Sequence, residues 1–582
     1  MLVYGDASRT ERLGEKRASI LAALAAVERM APGIERHAAL VAAFIASSEL
    51  VQGLADAAFE EHGADCGSDA ERSGMTALMA LATMVDVSWR NGFATGAVPW
   101  PALEPLRGLD GAAANRTKEA EGYAFYALYP EAYLEAARRS GLGPGTTVIG
   151  IRSIGTGLAA LVAAVLQAPL PVTVRPLGHP YRRELKIGGP LADDLAADPD
   201  RSFAVVAEGP GLSGSSFAAV ADWLAARGVA HERIHFFPSH LGDPGPQASE
   251  AHRARWSHAR RHCVSFEELF FDSDRRLEAC AADLLGPLDG PLEDLSGGGW
   301  RRIRFPHERD WPAANVQQER RKFLARAGGV AWLLKFAGLG AAGPAKLARA
   351  RRLHAAGFAV EIAGLRHGFL VERWMADAPS LDRAALDRAV LVERVGSYLG
   401  FRARAFPARG RTGARLDDLA RMACHNAGEA LGPEIAARLE RRFSRAAELE
   451  SRVRRVVTDN RLHAHEWLLD EGRPIKTDAL DHAFGHDLVG CQDVAWDVAG
   501  AVAEFGFDSA EIARLSRAIE REAGCAVDPD LVAFMQPCYL AFQLGAATVA
   551  ADAVGGGEAP RLRREALRYG TLLARETGDR RD

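Results

Sequence analysis

Two stretches of this chain hold the residue types that bind anions. In residues 202–228, the apolar run Phe203-Ala204-Val205-Val206 ends near one acid, Glu208. It gives way to a loop of Gly, Pro and Ser from Gly209 to Ser216, including Gly211, Ser213, Gly214 and Ser215. Phe217, Val220, Ala221 and Leu224 then recur at helical spacing, with Gly228 as the stop. A strand, a small-residue loop and a helix N-terminus present converging backbone N–H groups to a phosphate. Ser213, Ser215 and Ser216 add hydroxyl donors, and a carboxylate at a strand end can hold sugar hydroxyls. Residues 146–166 repeat the plan. The run Val148 to Ile151 leads into Arg152-Ser153-Ile154-Gly155-Thr156-Gly157, and a helix starts near Leu158. An ordinary strand–turn–helix unit is the plainer alternative for each.

A third group lies far downstream. His463, His465, Asp478, Asp481, His482, His486 and Asp487 are hard and borderline metal ligands. His482 and His486 would share one face of a helix, and His463-x-His465 could chelate from a strand. That set would suit a metal-dependent hydrolase. Hydrogen-bonded structural histidines are the alternative.

The elements that must carry these residues alternate. After the first strand–loop–helix come a short strand, Pro171 to Val174, and a basic segment, Pro176 to Gly188, with Arg182, Arg183 and Lys186. The second strand–loop–helix follows, and then a strand, Ile234 to Phe237. This order predicts an α/β doubly wound parallel sheet. His235 to His240, with Arg253 and Arg255, sits at the next strand end and could reach a nucleobase or phosphate. Residues 1–110 read as a helical region, with apolar periodicity in Ser19 to Val27 and Ala38 to Leu54. Glu121 to Arg139 holds four tyrosines and reads as an amphipathic helix interrupted at Pro130; a base-stacking platform is the alternative. Ser296 to Gly299 reads as a linker, dividing a domain at 112–295 from one at 300–582. In the latter, Val330 to Ala337 alternates as a strand that includes Lys335. A helix (Pro344 to Ala356), two strands and then mostly helices follow.

The loop at 208–216 resembles the ribose-5-phosphate loop of type I phosphoribosyltransferases, in which an apolar strand and two acids precede Thr-Gly-x-Thr. Here the first acid is Ala207 and the spacer is one residue longer. The loop at 152–157 resembles the pyrophosphate loop of the same family. The resemblance covers about residues 120–270. It implies that Glu208 acts on the ribose, and that Gly209, Gly211, Ser213, Gly214, Ser215 and Ser216 cradle the 5-phosphate. Arg152, Ser153, Gly155 and Thr156 would then face the pyrophosphate of phosphoribosyl diphosphate, and the basic segment at 176–188 would be a closing loop.

Residues 330–550 resemble the aminoglycoside phosphotransferase and choline kinase group, a protein-kinase-like bilobal fold of α+β class. The segments that carry the likeness are VAWLLKFA, VVTDNRLHAHEWLL, GRPIKTD and QDVAWDVA. The resemblance implies that Lys335 binds ATP phosphates and that Asp459 is the catalytic carboxylate. It implies that Asp478 binds Mg²⁺, with Glu466 near the place of a second ligand, and that Asp493 and Asp497 are the later acidic pair. Val457 stands where the group has His, and the helix after the lysine strand offers no Glu to pair with Lys335.

Bulk properties set the frame. The 582 residues suggest three or four domains. The chain is 48% hydrophobic and 25% charged, as globular proteins are, and its net charge of −5 gives no general pull toward nucleic acid or anionic membrane. Its seven cysteines form no CxxC pair, which argues against a disulfide framework and for a reducing, cytoplasmic setting. No signal peptide is evident at the N-terminus, and the apolar stretch Leu158 to Leu170 is too short to span a bilayer. The expectation is a bifunctional enzyme joining phosphoribosyl chemistry to ATP- and Mg²⁺-dependent phosphoryl transfer to a small molecule, oligomeric or not. A nucleotide sensor with two degenerate domains is the non-enzymatic alternative.

Overall fold

The computed structural model describes the chain apart from residues 6–7, 95, 199, 274–275, 409–411, 486 and 579–582. The N-terminal 110 residues are mostly but not wholly helical. Ser8–Arg12 forms a strand paired antiparallel with Ala114–Lys118. Four helices follow: Leu13–Arg29, Ile34–His62, Asp69–Arg90 and Trp100–Arg107. The second stops at Gly63, whose φ of 69° is the left-handed turn that glycine adopts without strain. These helices are not a separate body. Leu40, Phe44, Leu78 and Leu81 share one core with Leu158, Leu161, Val148 and Val206 of the next region.

That region is built on a parallel sheet, as its alternating elements predict. In spatial order the strands are Val172–Val174, Thr147–Ile151, Phe203–Val206, Ile234–Phe237 and Arg260–Arg261, every pair parallel. One face is covered by helix Gly155–Leu166 and the N-terminal helices. The other is covered by Leu191, Phe217, Val220, Leu224 and Trp256. The chain leaves Thr147–Ile151 toward one edge of the sheet and Phe203–Val206 toward the other. The crevice between these two strand ends is where open α/β sheets bind ligands. The tyrosine-rich stretch breaks at Pro130 as expected, giving helices Glu121–Phe125 and Pro130–Arg139. The basic segment is a hairpin, Leu177–His179 with Arg182–Glu184.

A second sheet is antiparallel, in the order Glu293–Asp294, Lys322–Ala327, Val330–Phe336, Phe369–Arg373 and Ile362–Arg366. It begins before the expected boundary. Ser296 to Gly299 therefore lies inside the connection between its first two strands, where Gly297 and Gly298 turn the chain at φ of 58° and 81°. Helix Ala342–Ala355 packs on this sheet. The rest is a helical lobe that includes Arg388–Ala405, Leu416–Leu431, Val494–Phe505, Pro529–Ala553 and Glu558–Glu576, with one hairpin, Trp467–Asp470 and Arg473–Lys476. Sheet lobe and helical lobe face each other across a cleft. Ile34–His62 and Pro529–Ala553 are long and apolar enough to cross a bilayer, unlike 158–170. Their most apolar windows are 72% and 67% buried within the fold.

Candidate functional site

The cleft is furnished from both lobes. On the sheet side, Leu333 and Lys335 alternate on one strand, so both side chains reach the cleft face. Lys322 lies opposite Lys335 and Glu372 opposite Leu333. On the helical side, the turn after Arg473–Lys476 carries Asp478 and Asp481. Lys335 Nζ donates to Asp478 Oδ1 at 2.6 Å and lies 3.1 Å from Asp481 Oδ2. Burial pushes the Asp478 carboxyl up, but Lys335 and His482 outweigh it and hold it well below the usual range. Burial raises Glu372 to about 7, only partly countered by Lys335.

The missing glutamate on the helix after the lysine strand has a structural answer. That helix contributes Lys346, 2% exposed at its side chain, which pairs with Asp481. The counter-charge comes from the opposite lobe, where one carboxylate bridges two buried lysines. Lys476, fully buried, donates to Glu466 Oε2 at 2.8 Å and to the Asp478 carbonyl, and lies 3.6 Å from Asp459 Oδ1.

Ligand atoms of Glu466, Asp478 and His482 lie within 4.8 Å of one another. Two carboxylates at that spacing suit a hard cation such as Mg²⁺. The histidine-rich set does not gather as one site. His463 turns to Glu504, at 3.4 Å, and stacks on His465. His486 lies outside the described residues.

Asp459 is placed differently from the expectation for a catalytic carboxylate. Its side chain is 0% exposed and it is not among the residues lining the cleft. Tyr398 Oη donates to it, as does the Arg461 N–H at 3.2 Å. Arg402 lies 3.8 Å and His482 3.9 Å away. Asp497 accepts the N–H groups of Asp459 and Asn460 at 2.8 and 2.9 Å, bracing this loop from helix Val494–Phe505. Asp493 caps that helix.

The connection from 295 to 321 roofs the cleft with Trp300, Arg304, Asn315, Gln318 and Arg320. It is tied to the helical lobe by Arg301–Glu558 at 2.9 Å and Glu308–Arg561 at 2.8 Å. The cleft is partly open to solvent and holds a free volume of ≈ 210 Å³. Lys346, Lys476 and the roof were not anticipated from sequence. The QDVAWDVA and GRPIKTD segments pointed toward the right strands and helices, but a lysine on an amphipathic helix reads as surface.

The parallel sheet brings its two loops together, as expected from their order: both leave C-terminal strand ends of neighbouring strands. The side chains do not match the phosphoribosyl expectation. Arg152, 1% exposed at its side chain, bonds Asp56 at 2.9 Å, Asp65, and Thr173 Oγ1 at 2.9 Å and O at 3.2 Å. Its guanidinium is therefore occupied and cannot also hold a pyrophosphate. Ser153 lies 3.4 Å from Arg175, Thr156 is fully buried, and Gly155 passes so close to the Val206 carbonyl that a Cβ there would sit 2.7 Å from it. Ser215 Oγ donates to the Pro180 carbonyl at 2.9 Å, and Ser213 Oγ contacts the same carbonyl at 3.3 Å, so both hydroxyls are taken up by the turn of the basic hairpin. Ser216 lies in the helix, which starts at Ser215 after Gly214 at φ of 67°. Glu208, Gly209 and Gly211 do line a cavity of ≈ 740 Å³, together with Tyr126, Tyr129, Tyr133, His240 and Cys263.

No family model matches the chain, and no curated protein matches it. Solved structures resemble part of it. A choline kinase from Streptococcus pneumoniae is 17% identical, covering 43% of this chain and 89% of its own, with a TM-score of 0.30. A spectinomycin phosphotransferase in complex with ADP and spectinomycin is 12% identical, covering 44% and 88%, at 0.31. A choline/ethanolamine kinase family protein from Mesorhizobium loti is 16% identical, covering 52% and 97%, at 0.32. Likenesses at this level carry no argument about activity, which rests on the residues of the cleft.

Proposed function

We propose that the cleft between the antiparallel sheet and the helical lobe binds ATP and transfers its γ-phosphoryl group to a hydroxyl of a small molecule. The observation that carries this is the Lys335–Asp478 contact. A buried cation on the sheet lobe meets a carboxylate on the helical lobe, in the wall of a cavity lined by further cations. Lys335, Lys322, Arg320 and Arg461 supply positive charge for phosphate oxygens, and catalysis of such transfers is chiefly positioning and charge stabilisation. Glu466 and Asp478 would hold Mg²⁺, which when bound neutralises charge on the phosphates. The free volume lies below the roughly 300–1,000 Å³ of typical small-molecule pockets.

One observation favours a second reading, nucleotide binding without transfer: Asp459 is sealed away from the cleft. Phosphoribosyl transfer is left out because Arg152, Ser213 and Ser215 are committed within the fold. Calorimetric titration of the full chain with ATP and Mg²⁺ tests the proposal. Saturable binding that Lys335→Ala and Asp478→Ala both weaken is expected; no binding by the wild-type chain would refute it.

A further inference from the structure

Transfer to a hydroxyl needs a group that takes the acceptor's proton, and Asp459 does not reach the cleft. His463 does. It follows the Asp459 loop directly, lines the cavity, and is 23% exposed at its side chain. Its Nδ1 lies 3.4 Å from Glu504 Oε2. Glu504, on helix Val494–Phe505, is 4% exposed and held by three further donors: Tyr569 Oη at 2.7 Å, Arg568 at 2.9 Å and Tyr539 Oη at 3.1 Å. The ring plane is set as well. His463 stacks on His465 at 5.3 Å and 9°, and His465 stacks on Trp300 of the roof at 6.1 Å and 18°. With the carboxylate on the Nδ1 side, a proton held at Nδ1 would leave the Nε2 lone pair free to accept another.

We infer that His463, positioned by Glu504, is the general base that accepts the acceptor hydroxyl's proton. This rests on the phosphotransfer reading above. The acceptor O–H bond breaks, and its proton goes to Nε2. The oxygen's electron pair forms the new bond to the γ-phosphorus of ATP, while the bond from that phosphorus to the bridging oxygen breaks and its pair leaves on ADP. The imidazolium is neutralised by Glu504 and returns its proton to solvent after product release.

The groups facing His463 agree with this role. Burial pushes its imidazole down, but Glu504 and Glu466 outweigh both burial and the opposing Arg461, so it is raised overall. A base works deprotonated, so turnover should rise with pH through the raised His463 value. Removing the Glu504 charge should move that limb to lower pH.

The test uses the full chain, ATP with Mg²⁺ and water as acceptor, following ADP release from pH 5 to 9 beside calorimetric ATP affinity. His463→Gln should lower kcat by about 100-fold or more, within the range for a lost general base, while ATP affinity stays within about threefold. Glu504→Gln should retain turnover with its acidic limb displaced downward. Should Glu504→Gln fail to fold, acylation of His463 by diethyl pyrocarbonate in the wild-type chain, followed by mass spectrometry across pH, reads the same titration, and ATP with Mg²⁺ should protect it. Unchanged kcat in His463→Gln, a loss confined to ATP affinity, or a limb that Glu504→Gln does not move would overturn the assignment alone. Wild-type protein that binds ATP but releases no ADP at any pH would overturn it and leave binding standing. Wild-type protein that binds no ATP would overturn both readings.

Discussion

The two clefts of this molecule are furnished with similar residues and differ in what those residues touch. Between the lobes, Lys335, Asp478, Glu372 and Lys322 come from different elements and meet at the wall of an opening. At the parallel-sheet crevice, Arg152, Ser213 and Ser215 are equally well placed by the backbone, yet each is bonded inward. Arg152 ties the strand end to Asp56 of helix Ile34–His62 and to Asp65, so it acts as a rivet between the N-terminal helices and the sheet. A motif reports where polar groups gather. Whether they remain open to a ligand depends on which partners the rest of the chain delivers.

That contrast can be broken by experiment. The largest effect should come from Arg152→Ala. Removing one side of a buried ion pair costs about 3–5 kcal/mol, because the partner is left desolvated and uncompensated. Urea unfolding should show that loss while ATP affinity is unchanged. A variant as stable as wild type that instead loses affinity for ribose 5-phosphate would reverse the comparison.

Asp478→Ala should do the opposite. Hydrogen bonds involving charged groups contribute about 1.5–3 kcal/mol, or roughly 10–100-fold in affinity. ATP binding in the presence of Mg²⁺ should weaken by that factor, with little change in the urea midpoint because Asp481 still pairs with Lys335.

Glu372 sharpens the picture through pH. Its folded-state value is raised to about 7, whereas an unfolded Glu titrates near 4.3. Between those values the folded chain binds more protons than the unfolded one, so this residue's contribution falls as pH rises through the window. Glu372→Gln should flatten the dependence of the melting temperature on pH between 5 and 7.5. An unaltered slope would mean that the carboxyl is ionised beside Lys335 throughout.

The smallest effect belongs to Ser215→Ala. The hydrogen bond to Pro180 is lost, worth about 1 kcal/mol, and so is the one accepted from Ser213 Oγ, whose hydroxyl still reaches the Pro180 carbonyl. The melting temperature should drop slightly and ATP affinity should not move. A clear loss of phosphate or ribose 5-phosphate binding in this variant would return the 209–216 loop to the role its sequence suggests.

Much of the architecture was legible because the signals are local. Alternation marked Val330–Phe336, and four apolar residues marked Phe203–Val206. Pro130 divided the tyrosine-rich stretch at the position where the structure starts a helix. The failures are equally specific. Ser8–Arg12 and its partner Ala114–Lys118 are polar, so neither carries a strand signature, and only pairing across the fold makes them one. Ser296 to Gly299 reads identically as a linker or as a turn within a domain. Lys346 reads as a surface residue in sequence because its partner Asp481 lies 135 positions away on the other lobe.

What the sequence determined by itself was the kind and order of elements and the identity of the charged residues, since backbone sterics and hydrophobic periodicity act over a few neighbours. Tertiary structure alone decided which charges face a ligand. Arg152 finds Asp56 at a separation of 96 residues, and Lys335 finds Asp478 at 143. Desolvation is the physical reason. A charge taken out of water must be paired, and the same guanidinium that would grip an anion in an open cleft becomes a structural bond wherever folding brings a carboxylate to it first.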